Sequence, residues 1–235
     1  MGELATWKER VLSDPRRLLP YVIGSGRADQ VMEVLRENPQ LLNTRLSRNA
    51  TPLLTAAYEG QLGIAESLLA MGARMDFITA IALNRITTVR TLIDGQPLLI
   101  RTQSPDQTGC MQIAARYANK QMLELLISAG GDVNDCTNPK RLTPLFYAWK
   151  EPYDRAELLL ARGANVNARS KSGFTVLHFA AKAGRLRLVE LLLAHGAWAN
   201  AQTRGRQTPW ALAVGGGHRE VSTLLMSAQG TNQVS

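Results

Sequence analysis

The chain has 235 residues, 45% of them apolar, and a formal net charge of +8. That length allows one or two globular domains with a full core, and no run reaches the roughly 18 uncharged apolar residues that a bilayer-spanning helix needs. Residues 1–12 carry Glu3, Lys8, Glu9 and Arg10 and lack an apolar run, which argues against a secretory leader.

At the N-terminus, Leu4, Trp7, Val11 and Leu12 fall at helical spacing and predict an amphipathic capping helix over residues 1–16. Met1-Gly2 with Thr6 fits the short N-myristoylation pattern, with Glu3 a poor companion to it. A helix pair is then expected around 23–43, with Gly26, Val31, Val34 and Leu35, and a second pair over 44–76. A third, over 77–101, keeps Ala80, Val89, Leu92 and Ile93 but has no room for a loop in front of it. The fourth, 102–135, has Gly109-Cys110 where other copies have Thr-Pro. The fifth, 136–168, is one residue short at Pro152 and carries Trp149 where other copies have a second alanine. The sixth and seventh cover 169–201 and 202–227. The repeated domain is therefore expected over 17–228 as one stacked array, and the polar residues 229–235 as a disordered tail.

A 33-residue step organises this series. Leu125, Leu158, Leu191 and Leu224 share it, and so do Gly130, Gly163 and Gly196, and Asn134, Asn167 and Asn200. Thr51, Thr143 and Thr208 suit helix N-caps, and the prolines after them suit the first helical position. Ala56-Ala57 and Ala180-Ala181 keep one helix face small enough for close packing, and Gly60, Gly184 and Gly217 stand where a left-handed residue ends the helix. Leu188, Val189, Leu191 and Leu192 make the apolar stripe of a second helix.

The segments Thr51-Pro-Leu-Leu-Thr-Ala-Ala57, Thr143-Pro-Leu-Phe-Tyr-Ala148, Thr175-Val-Leu-His-Phe-Ala-Ala181 and Thr208-Pro-Trp-Ala-Leu-Ala213 resemble the signature of the ankyrin repeat, whose period is also 33. The resemblance covers nearly everything after residue 17. It implies an all-α solenoid of about seven repeats, each a helix–turn–helix with a projecting β-turn finger. It also implies a protein-interaction module that uses the fingers and first helices as a concave face, with the missing third finger a break in that face.

No catalytic or cofactor constellation competes with this reading. His178 stands in the signature itself, and His195 and His218 flank helix-ending glycines, so all three are expected to brace the fold and none to hold a metal. Cys110 reads as a small buried hydrophobe and Cys136 as an exposed finger residue, with no nucleophile–base arrangement around either. Two cysteines without a disulfide or metal pattern point to a reducing, cytoplasmic setting. Gly215-Gly216-Gly217 and Gly24-Ser25-Gly26 lack the strand and the partner residues of a phosphate-binding loop.

The charge is unevenly placed. Residues 1–136 hold 14 basic and 14 acidic side chains, whereas residues 137–235 hold 13 and 5. Lys140, Arg141, Arg169, Lys171, Arg204 and Arg206 all fall on finger positions. The candidate partner-binding residues are Tyr58, Arg116, Tyr117, Arg141, Leu142, Lys150, Lys171, Phe174, Lys182, Arg204 and Arg206, with arginine and tyrosine the types enriched at interface hot spots. The expected ligand of a monomeric chain is an acidic protein surface. The alternative is nucleic acid on the basic C-terminal half, against which stands the lack of regular aromatic interleaving.

Overall fold

A computed structural model describes residues 14–46, 49–149 and 151–231. Among them are thirteen α-helices and, in place of strands, one isolated antiparallel bridge between Gln103 and Gly109. Residues 1–13 of the expected capping helix lie outside the described residues. The chain divides into two compact units, Met1–Cys110 and Met111–Ser235.

The first unit contains α1 (Pro15–Gly24), α2 (Ala28–Glu37), α3 (Pro52–Tyr58), α4 (Leu62–Ala70), α5 (Phe77–Ala82) and α6 (Ile86–Gly95). The helices form two layers: α1, α3 and α5 pack in sequence, and α2 packs on α4. Ala56 and Ala80, both fully buried, let the first-layer backbones approach, while Val31, Leu68 and Val89 fill the space between layers. Thr51 caps α3 by accepting from the Leu54 amide at 3.2 Å. The third repeat dispenses with a finger because Asp76 takes over the cap, accepting from Thr79 N at 2.8 Å only four residues after the turn at Gly72. Cys110 is buried, as expected, with its thiol 2.9 Å from the Ile100 carbonyl.

The second unit contains α7 (Cys110–Tyr117), whose first residue closes the unit before it, then α8 (Lys120–Ser128), α9 (Asp154–Ala161), α10 (Val176–Lys182), α11 (Leu186–Ala194), α12 (Pro209–Gly215) and α13 (Arg219–Thr231). Here α10 packs on α12, α11 on α13 and α8 on α9. The last helix reaches Thr231, so the expected boundary at residue 228 falls inside it.

The fifth repeat departs from the pattern. In place of a first α-helix it has a 3₁₀ turn, Pro144–Tyr147. The Thr143 hydroxyl is buried and makes no cap bond, in contrast to Thr51 and Thr208. Trp149 stands where Ala57 and Ala181 let helices come together, and an indole does not fit so tight a face. Arg155 in α9 occupies the position held 33 residues later by Leu188; it is buried, and its Nη1 donates to the Ala118 carbonyl at 3.0 Å.

His178 ties the sixth repeat to the seventh. It is completely buried. The Thr175 amide donates to its Nδ1 at 3.1 Å, and its Nε2–H donates to the Gln207 carbonyl at 3.1 Å. Gln112 sits in the same slot two periods earlier and does the same work, donating from Nε2 to the Asp135 carbonyl at 2.9 Å and towards Leu142 O at 3.4 Å. His195 and His218 also bond backbone, donating to Leu191 O at 2.9 Å and Lys182 O at 3.1 Å. The His218 ring fills the space over Gly184: a Cβ there would lie 2.3 Å from Nδ1, and φ is +65°. Among the described residues no three His, Cys, Asp or Glu side chains gather as metal ligands do.

Burial holds the His178 pKa below the ordinary imidazole value, because it penalises the charged ring; the Gln207 carbonyl acts in the other direction. The unfolded chain therefore takes up a proton more readily than the folded one. Stability present at neutral pH should fall as the pH drops through about 6.5 and level off below the folded-state pKa. His178→Gln, which installs the residue already used at 112, should keep the bridge and flatten this dependence. Melting temperatures of both proteins between about pH 7.5 and 5.5 check it, and equal slopes would mean that His178 is not neutral in the fold.

Candidate finger and groove surface

The fingers are five-residue hairpins built alike. In the second unit they are 138–142, 170–174 and 203–207. Arg141 N donates to Asn138 O at 2.8 Å, Gly173 N to Ser170 O at 2.9 Å and Arg206 N to Thr203 O at 3.0 Å. Such a turn places its fourth residue in the left-handed region, where glycine is cheapest. Gly173 holds that place at φ +81°, and a Cβ on it would also press within 3.0 Å of Arg204 N. Arg141 and Arg206 hold the same place at φ +53° and +59°.

Those two arginines occupy a conformation that costs an L-residue about 1 kcal/mol or more. Arg141→Gly with Arg206→Gly should therefore raise the stability of the folded chain by roughly 0.5–1 kcal/mol per site. Urea midpoints measure the change. A loss of stability would show that the arginine side chains serve the fold.

Adjacent fingers are joined by their backbones. Lys171 N donates to Lys140 O at 2.9 Å and Arg204 N to Ser172 O at 3.2 Å. The asparagines of the 33-residue register lock the segments beneath. Asn134 Oδ1 accepts from Asn165 N at 2.7 Å and its Nδ2 donates to Gly163 O at 3.1 Å; Asn167 repeats both bonds with Trp198 N and Gly196 O at 2.9 Å. This ladder draws Arg141, Arg169, Lys171 and Arg204 around one open cleft of about 700 Å³. Arg169 donates to the Gln202 carbonyl. Among the described residues no carboxylate pairs with any of these four cations; the ion pairs are Arg17–Asp14, Arg85–Glu66 and Arg155–Asp154.

Beside the cleft, still within the second unit, lies a groove of about 480 Å³. Its floor is aromatic, from Phe146, Tyr147, Trp149 and Phe179, and Leu142, Arg116, Lys182 and Arg185 also line it. Phe179 is 45% exposed. It packs edge-on to Phe146 with ring centroids 5.7 Å apart, and lies 5.4 Å from Phe174. The Arg185 guanidinium sits 5.8 Å from the Trp149 ring centroid.

Of the residues singled out from sequence, Arg141, Lys171 and Arg204 meet at the cleft, and Arg116, Leu142 and Lys182 at the groove. Phe174 lines neither but lies 5.4 Å from Phe179 of the groove, and Arg206 is exposed on the last tip without lining the cleft. Tyr117 lies under the Arg116 guanidinium, 5.1 Å away, and does not line the groove. Tyr58 is half-buried in the first unit, and Lys150 lies outside the described residues. Phe146, Tyr147, Trp149, Phe179 and Arg185 were not among the expected contacts. The signal for them was the bulky Trp149 in an alanine position.

Residues 77–170 match the family model described as "Ankyrin repeats (3 copies)", and residues 159–221 match "Ankyrin repeats (many copies)". Among curated proteins, the chain is similar to ankyrin repeat domain-containing protein 49 of Homo sapiens, 36% identical over 72 residues, and to that of Bos taurus, 42% identical over 72 residues. Each match covers 31% of this chain and 30% of the relative, so the chain spans under a third of the curated relatives it matches.

Proposed function

This chain belongs to the ankyrin-repeat family, and we propose that it is a non-catalytic interaction module whose second unit binds an acidic protein surface. Ankyrin repeats generally serve as protein–protein interaction modules. The observation that carries the acidic partner is the cleft itself: Arg141, Arg169, Lys171 and Arg204 converge on it without a carboxylate among the described residues to neutralise them. Four such cations repel one another, and an anionic partner relieves that repulsion. A protein partner is favoured over nucleic acid because the aromatic groove adjoins the cleft, offering the apolar centre and charged rim of a protein interface.

The test is capture on the immobilised full chain from a lysate of its own cells, with and without nuclease. The expected fraction is acidic, resists nuclease, leaves the column as salt rises and fails to bind when Arg141, Lys171 and Arg204 are all glutamate. Capture abolished by nuclease would assign the surface to nucleic acid instead, with the steep salt dependence of counterion release.

A further inference from the structure

The finger cleft and the aromatic groove share a border made by two pairs of chain neighbours. Arg141 lines the cleft and Leu142, the next residue, lines the groove. Gly173 lines the cleft, and the next residue, Phe174, stacks 5.4 Å from Phe179 on the groove floor. A segment lying on the tips therefore passes directly over the aromatic floor. The groove volume of about 480 Å³ falls within the range of small-ligand pockets, ample for one large side chain.

The charges around the groove narrow its occupant. Arg116, Lys182 and Arg185 are all exposed, and no acid lines the groove. A basic or neutral hydrophobic segment would bring no carboxylate to these three cations, whereas an apolar residue flanked by carboxylates satisfies floor and rim together. A second copy of this chain fits poorly. Residues 137–235 carry 13 basic side chains against 5 acidic ones, so self-association on this face sets like charges against each other.

We propose that the groove takes one large apolar side chain from the same acidic segment whose carboxylates occupy the cleft, so that the second unit recognises a two-part linear motif: an aromatic or long aliphatic anchor flanked by acidic residues. This rests on the acidic-partner reading above and adds the anchor to it. Trp149 is the lining residue that distinguishes this groove, because the second and sixth repeats have alanine there, at Ala57 and Ala181. For the same reason Trp149→Ala is a substitution that the repeat architecture accommodates.

Random peptides of about twelve residues, roughly 40 Å when extended, displayed on phage and selected against the full chain, test the motif. The expected winners carry several Asp or Glu and one Trp, Phe or Leu. A synthetic winner should lose about tenfold or more in affinity on changing its apolar residue to Ser, the scale of one buried aromatic contact. It should lose a similar factor towards the Trp149→Ala protein, and the two changes together should cost little more than either alone. Winners that are acidic but indifferent to the apolar residue and to Trp149→Ala would overturn the anchor and leave the acidic-partner reading standing. Winners without acidic residues, binding the triple glutamate protein as well as the wild type, would sink both. A selection that enriches nothing would overturn the linear motif, while capture of an acidic folded surface would still decide the broader reading. Circular dichroism and melting of each variant confirm that the fold is retained.

Discussion

Leu192→Ala should destabilise the chain by about 2–5 kcal/mol, the range for removing a leucine from a packed core. Leu192 is completely buried in α11, and α11 is held between α10 and α13. In a stacked array each repeat depends on its neighbours for burial, so the cavity weakens the α10–α11 pair and its junction with the seventh repeat together. The internal control is Met226→Ala in α13. Met226 is 61% exposed, and surface changes of this sort normally stay within about 0.5 kcal/mol. Urea unfolding of the two variants measures the contrast. Equal effects would mean that the apolar stripe of the second helices does not form the core.

The 33-residue step made this part of the molecule legible. Leu188, Val189 and Leu192 are buried as their spacing requires, with Leu191 of the same stripe half-buried, the threonines at 51 and 208 cap their helices while Thr143 does not, and Gly60, Gly184 and Gly217 are left-handed. His178 could be assigned to the fold because a buried ring with a partner on each nitrogen is what the signature position demands. Gln112 could have been read the same way, since it lies two periods before His178, but glutamine has no place in the consensus and the register had to be counted to find it.

What the period could not deliver was the response to its own violation. Trp149 breaks the small-residue rule, and a sequence does not say whether the helix is displaced, the ring turns outward or the turn tightens. The structure answers with a 3₁₀ turn in place of a helix, and that local failure lays Phe146, Tyr147 and Trp149 along one groove. Phe179 stands at a variable position of the signature, so only its aromatic neighbours across the groove give it meaning. Likewise the finger arginines were visible as a charge count. Their left-handed backbone, shared with Gly173, came from the turn geometry.

Replacing Arg141, Lys171 and Arg204 with glutamate should slow association with the captured partner by about 100-fold at low salt, within the 10- to 1,000-fold range of electrostatic steering. The three residues lie on successive fingers, are exposed, and line a single cleft, so the reversal changes one concentrated field. The backbone bonds that join the fingers involve the amides of Lys171 and Arg204 and survive the substitutions. Arg141 is left-handed and glutamate meets the same backbone cost there, so the fold should be nearly indifferent to the exchange. The effect must also fade with salt, because the Debye length shrinks from about 10 Å at 0.1 M to about 3 Å at 1 M. Stopped-flow association across that range, with melting temperatures as the fold control, gives the decisive comparison. Rates that converge near 1 M and separate widely below 0.1 M support steering by the cleft. A variant that associates at the wild-type rate in low salt would remove the finger cations from recognition, and with them the acidic partner.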